Sequence, residues 1–277
     1  MNIIFSVIVL LICAIVAQRI LRVRRRRALR LQPFPEKWKQ LLEENCPLYP
    51  LLPEEFKKQL QGLVNVFLVE KTFIGCRGQI ITDQVKITIA SQACMLLLNR
   101  QTKLYPRLNT IYVYPQTYVV DSTHHEDGLV VEDKDIRLGE SWRNGPIIIA
   151  WDNVAHAARS VNRGHNVVMH EFAHQLDQED GVIDGAPLLD SASSYKTWAN
   201  VLGAEYKKLC DSLYAHHRSV LDPYGATNPA EFFAVATEAF FEKPCQLLKH
   251  HPRLYEEFKN YYKLDPAQWR VTEKEQL

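Results

Sequence analysis

The first 30 residues contain no aspartate or glutamate, and nowhere in the chain do two cysteines stand as a C-x-x-C pair. The six cysteines, Cys13, Cys46, Cys76, Cys94, Cys210 and Cys245, are dispersed along the sequence. That dispersal excludes a disulfide framework and a thiolate metal site, and it suits reduced, mostly buried thiols in a cytosolic domain. Internal repeats and low-complexity tracts are also missing, so one ordinary globular core is expected from the roughly 245 residues beyond the N-terminal region.

What the N-terminus does have is a run from Ile3 to Ala17 without a charge, extended by Gln18-Arg19-Ile20-Leu21 and followed by Arg22, Arg24 to Arg27 and Arg30. Cleaved export signals carry positive charge before their apolar stretch, whereas here all of it follows, so an uncleaved anchor is expected. The stretch is short against a usual span of about 20 residues, and snorkelling of Arg19 lengthens it. The expected organisation is a transmembrane anchor over 1–21, an arginine-rich juxtamembrane segment over 22–32 and a folded domain over 33–277. By the positive-inside rule the arginine side and the domain face the cytoplasm. Seven of the 33 basic residues and none of the 32 acidic ones lie in the first 30, which leaves the rest with a formal net charge of −6. A basic collar beside an apolar span is expected to meet anionic lipid headgroups, and nucleic acid is the disfavoured partner.

The most informative stretch is His170-Glu171-Phe172-Ala173-His174. On a helix, positions four apart point within about 40° of each other and lie about 6 Å apart along the axis, so both imidazoles reach one divalent ion. Val168, Phe172 and Leu176 form an apolar line that backs such a helix against a core. A catalytic zinc site needs a third protein ligand, and three acidic residues compete for the place. Asp180 has the metzincin spacing, but that class requires a Gly where Asp177 stands and a methionine turn downstream; Met1, Met95 and Met169 are the three methionines, and none follows the helix. Asp180 is expected instead in an acidic, glycine-punctuated loop from Asp177 to Gly185 that could act as a lid. Glu205, with Lys207 and Lys208 after it, reads as part of a solvated helical face. Glu231 opens a nearly all-apolar helix with Asn228 as N-cap and Pro229 at the first position. Glu231 and Glu238, seven apart, share a face of it. Unpaired buried carboxylates are costly, so a metal is the natural partner for Glu231, while Glu238 could orient a ligating histidine; pairing of both with Arg or Lys is the alternative. Asp177, seven residues after His170, is expected to bond a histidine N–H or the loop backbone. The His124-His125 and His216-His217 pairs lack helical metal spacing and are expected at the surface.

The run His170 to Asp177, joined to Tyr224 and to Asn228-Pro229-Ala230-Glu231-Phe232-Phe233-Ala234, resembles the Mlc titration factor A family of zinc-dependent peptidases, itself similar to the catalytic domain of anthrax lethal factor. The resemblance runs from about Pro33 to Trp269 and includes Ile111 to Pro115 and Gly139 to Trp142. It implies one Zn²⁺ per chain held by His170, His174 and Glu231, with Glu171 as the catalytic carboxylate and Tyr224 facing the metal. The fold expected is α+β, a zincin-like (gluzincin-type) metallopeptidase domain, mainly helical with a small sheet and preceded by one transmembrane helix. The protein expected is a single-pass protein of a bacterial inner membrane. It would hydrolyse peptide or aminoacyl amide bonds of a peptide or protein substrate, capture a transcriptional repressor, or hold zinc for structure alone; Glu171 and Tyr224 favour hydrolysis over the last, since holding metal requires neither.

Within the domain, the patterns predict helices over Glu36 to Glu44, Glu54 to Glu70 and Asp83 to Leu98, the last with a start that could also be a strand. Short strands are expected over Thr110 to Tyr114, Leu129 to Glu132 and Pro146 to Trp151. Besides the His170 and Glu231 helices, others are expected over Ser193 to Tyr214 and Pro252 to Tyr262. One strand is expected to bind extended substrate by backbone hydrogen bonds.

Overall fold

The computed structural model describes the backbone of residues 2–100, 104–116, 118–126, 129–137, 139–141, 145–158 and 165–275, and the side chains of 5–100, 104–116, 145–158 and 165–270. The chain opens with one uninterrupted helix, α1 (Asn2–Arg30), followed by α2 (Glu36–Asn45) and α3 (Glu54–Glu70). Both α2 and α3 start directly after a proline, Pro35 and Pro53, whose φ near −60° suits a helix entry. Strand β1 (Thr72–Gly75) leads to α4 (Asp83–Met95), whose N-cap Thr82 accepts a hydrogen bond from the Val85 amide. The Val85-Ile87-Ile89 run is therefore helical, because the cap commits the backbone before the β-branched residues begin. Strands β2 (Thr110–Tyr114), β3 (Tyr118–Glu126), β4 (Leu129–Arg137), β5 (Gly139–Ser141) and β6 (Ile147–Ala150) come next, then α5 (Trp151–Ala157) and α6 (Val167–Asp177). The remainder is helical: α7 (Ala192–Tyr214), a 3-10 turn over Pro223–Ala226, α8 (Pro229–Glu242), α9 (Pro244–His250), α10 (Pro252–Tyr262) and α11 (Pro266–Glu275).

The molecule is thus mainly helical with a small sheet. Strands β1, β2 and β6 pair in parallel, and β5 adds antiparallel to β6, giving the order β1-β2-β6-β5. Strands β3 and β4 pair with each other as a separate antiparallel ribbon, in register from Tyr118↔Arg137 to Glu126↔Leu129. That ribbon extends five residues past the expected end at Glu132; Asp133, Lys134 and Asp135 hide it from an apolar-alternation reading. Trp151 starts α5 rather than ending a strand. Strands β1, β3 and β5 and helices α5, α9 and α11 carry no pattern in the sequence long enough to announce them. His216 and His217 are exposed as expected, while Trp142 and the side chains of His124 and His125 lie outside the described residues.

The core gathers around α8. Phe232, Phe233, Phe240 and Phe241 are buried there, and α10 supplies Phe258, Tyr261 and Tyr262. Phe240 stacks on Tyr262 at 5.6 Å, and Trp198 of α7 stacks on Phe258 at 5.5 Å. Each fully buried side chain of this size contributes about 1.5–3 kcal/mol. With so much apolar surface on every side, α8 is a rigid platform, and any carboxylate on it is held in place. Across the core, α6 packs against α8 and α4 and lies beside β5 and β6.

Candidate metal centre

Helix α6 is set by its own first residues. Asn166 caps it, accepting a hydrogen bond from the Met169 amide at 3.0 Å, and Val168, Phe172 and Leu176 are fully buried. With that face inward, His170 and His174 stand side by side, their rings 4.9 Å apart at 82°. Helix α8 presents Glu231 to both. Its Asn228 cap accepts from the Glu231 amide at 3.0 Å, with Pro229 at the first helical position. Glu231 Oε2 lies 2.9 Å from His170 Nε2 and 3.4 Å from His174 Nε2. One ligand atom from each of the three residues falls within 4.8 Å of the others.

A zinc ion with bonds of 2.0–2.1 Å and tetrahedral angles holds its donors about 3.4 Å apart. The observed 2.9 and 3.4 Å bracket that spacing, and two imidazoles with one carboxylate are a zinc donor set. The residues therefore fit the ion. Among the described residues no Arg or Lys pairs with Glu231, whose partners there are the two histidines.

A second layer fixes the first. Glu238, 2% exposed, places Oε1 2.7 Å from His170 Nδ1, while its Oε2 accepts from the Asn166 amide. Asn166 Nδ2 in turn donates to Glu242 Oε1 at 3.0 Å. Residues 231, 238 and 242 are seven and four apart, so one stripe of α8 lays three carboxylates along α6; Glu238 and Glu242 reach its N-terminal end at Asn166, where the helix dipole favours negative charge. The part of Glu238 is legible from its spacing to Glu231. Those of Asn166 and Glu242 were missed, and the available signals were an Asn just ahead of the apolar run and a Glu one turn past Glu238.

Electrostatics follow from burial and pairing. Burial pulls the His170 pKa down, but the Glu231 and Glu238 carboxylates outweigh it and hold the ring well above the ordinary histidine value. Burial likewise pushes Glu231 up, and its hydrogen bonds to His170 and His174 win, taking it down to about 2. Without metal, the two carboxylates favour the protonated form of the His170 ring. Asp177 is fully buried and takes the backbone option, accepting from the Gly185 amide at 2.9 Å; burial raises it to about 6. Gly185 has φ +80°, and a Cβ there would meet Pro229 O at 2.4 Å; its own carbonyl accepts from Trp198 Nε1 at 2.9 Å. The second half of the acidic loop is thereby fastened to the start of α8, which leaves little of it to act as a lid.

Glu171 is buried on α6. Tyr224 sits on the 3-10 turn before α8, placed by its amide donating to Asp222 Oδ1 at 2.9 Å. Its ring lies 5.9 Å from that of His170 and is 54% exposed, so it borders the centre from the open side. Asp180 stays outside, accepting from the Val182 amide at 2.9 Å. Glu205 corrects the expectation of a solvated face: it bonds His251 Nδ1 at 2.6 Å, a partner 46 residues away that only the packing of α7 against the α9–α10 junction supplies.

Residues 20–263 match the family described as glucose-regulated metallo-peptidase M90. The uncharacterised protein slr2042 of Synechocystis sp. is 44% identical over 237 residues, covering 85% of this chain and 86% of the relative. Mlc titration factor A of Serratia proteamaculans is 32% identical over 227 residues, covering 79% and 84%. Mlc titration factor A of Escherichia coli is 29% identical over 235 residues, covering 83% and 87%.

Proposed function

The chain belongs to the glucose-regulated metallo-peptidase M90 family, and from that premise we propose that it is a membrane-anchored zinc peptidase of the gluzincin type. The observation that carries the reading is the convergence of His170, His174 and Glu231 donors on one point, with Glu238 behind His170. A zinc ion held there supplies Lewis acidity and brings the pKa of a water toward about 7.

The residues of the chain do the rest. Glu238 accepts the Nδ1 proton of His170 and leaves the Nε2 lone pair free for the ion. Glu171, about 100° round α6 from His170, takes a proton from the attacking water and passes it to the leaving amine. The Tyr224 hydroxyl donates to the oxyanion as the carbonyl becomes tetrahedral. Strand β5, at the sheet edge beside α6, offers its outer backbone to an extended peptide.

Helix α1 is long and apolar enough to cross a membrane: Phe5–Arg30 has a mean hydropathy of 2.2 in its best window. With the arginines on the body side, the positive-inside rule puts the catalytic domain in the cytoplasm. A second reading rests on the relatives named Mlc titration factor A: this chain captures a transcriptional repressor at the membrane, with or without hydrolysis.

Detergent-solubilised full-length protein assayed on peptide and aminoacyl-anilide substrates tests the reading. Glu171→Gln is expected to retain zinc and lose turnover, and equal activity in both proteins contradicts it. Protease cleavage of the domain from the outer face of intact cells would contradict the orientation.

A further inference from the structure

The last turns of α1 are built into the domain. Arg26 grips Glu70 with two parallel bonds, Nε to Oε1 at 2.6 Å and Nη2 to Oε2 at 2.7 Å. Asn65 Nδ2 donates to the carbonyls of Leu29 and Gln32 at 3.4 and 3.2 Å. Gly62 lets the backbones touch, since a Cβ there would lie 2.8 Å from Arg30 O. As the α3 number rises from 62 to 70, the α1 partner falls from 30 to 26. The two helices are therefore antiparallel, and the C-terminal end of α3 points toward the apolar end of α1.

Leu21, the last residue of the expected anchor, is five positions before Arg26, roughly 7.5 Å along a helix. On the anchored reading the body therefore begins where the bilayer ends. The residues that follow Glu70's end of α3 carry apolar surface toward solvent: Val69 is 47% exposed, Ile74 39% and Ile80 75%. Scattered single exposures of this kind are ordinary, but these three large aliphatics fall within twelve residues of chain that start at the end of α3 directed toward the apolar part of α1. Arg77 adds a cation to this stretch, stacked 5.8 Å from the Tyr114 ring, while Arg22, Arg24, Arg25 and Arg27 are exposed on α1.

We propose that residues 69–80 form a second membrane contact on the catalytic domain. Val69 and Ile80 enter the boundary between headgroups and acyl chains, and Arg77 with the exposed collar arginines meets anionic lipid phosphates. The domain then lies on the bilayer in one pose, held by the Arg26–Glu70 clamp on one side and this patch on the other. The proposal rests on the membrane-anchored reading above.

The full-length protein is assembled into nanodiscs containing phosphatidylglycerol, with and without brominated acyl chains, which quench tryptophan on contact. Val69→Trp and Ile80→Trp are each expected to add emission that is lost in the brominated discs, and Leu248→Trp, exposed on α9, to add emission that is kept. If the wild-type protein fails to co-elute with the discs, the anchor reading fails and takes the patch with it. If it co-elutes and the added emission of either patch variant survives bromination, the patch is overturned and the anchor stands.

Discussion

Two half-buried carboxylates, Glu70 at the α1–α3 junction and Glu231 at the α6–α8 junction, meet different basic side chains, and the difference separates a clamp from a candidate metal site. Arg26 holds Glu70 bidentately, and a guanidinium does not give up its proton in a protein. The pair is closed to metal. Glu231 faces two imidazoles, which can lose a proton and expose lone pairs in its place. Burial of a carboxylate next to a cation is common to both, and the acidity of the cation decides what the place can do.

The largest effect expected concerns Glu171. Glu171→Gln should lower kcat by about 10²–10⁴-fold while zinc content stays at one per chain; zinc loss in that variant would assign Glu171 to the metal instead. Glu238→Gln should weaken zinc by about 10–100-fold, because a carboxylate behind a ligating histidine sets its tautomer and basicity. A competitive chelator titration reads this, and unchanged affinity would leave the second layer without a function. At the other junction, Gly62→Ala forces a Cβ against the Arg30 carbonyl and should cost about 1–3 kcal/mol in chemical unfolding, with zinc affinity unchanged. Glu70→Gln is the mildest, about 1 kcal/mol after allowing for solvent screening of a half-buried pair.

The pH dependence of that last difference has a fixed sign. Burial pushes the Glu70 carboxyl up, and its hydrogen bond to Arg26 overrides this and lowers it below the usual value. The stabilisation is therefore present above the unfolded carboxylate range and fades as pH falls through the lower folded value. Wild-type and Glu70→Gln stabilities should converge in acid, and divergence there would contradict the clamp.

Much of the site was legible because it depends on local periodicity. The four-residue offset of His170 and His174, the Asn228-Pro229 entry to α8 and the seven-residue offset from Glu231 to Glu238 are all properties of single helices, and packing preserved them. Asn166 and Glu242 were not legible, since their bond exists only where α6 and α8 meet. Arg26 was indistinguishable from the other arginines of its run until α3 selected it, and Glu205 gave no sign of His251. The expected end of strand β4 falls short because its second half is charged, and among the described residues β3 and β4 pair only with each other.

The claim that the α6–α8 junction is a place where an imidazole yields its proton to a metal is tested most directly by calorimetric titration of zinc into the metal-free protein near pH 7, in buffers of different ionisation enthalpy. The account predicts one zinc per chain with net proton release, because the Glu231 and Glu238 carboxylates hold His170 protonated beforehand, and loss of both signals in Glu231→Ala. Zinc binding without proton release, or binding that survives Glu231→Ala undiminished, would contradict it.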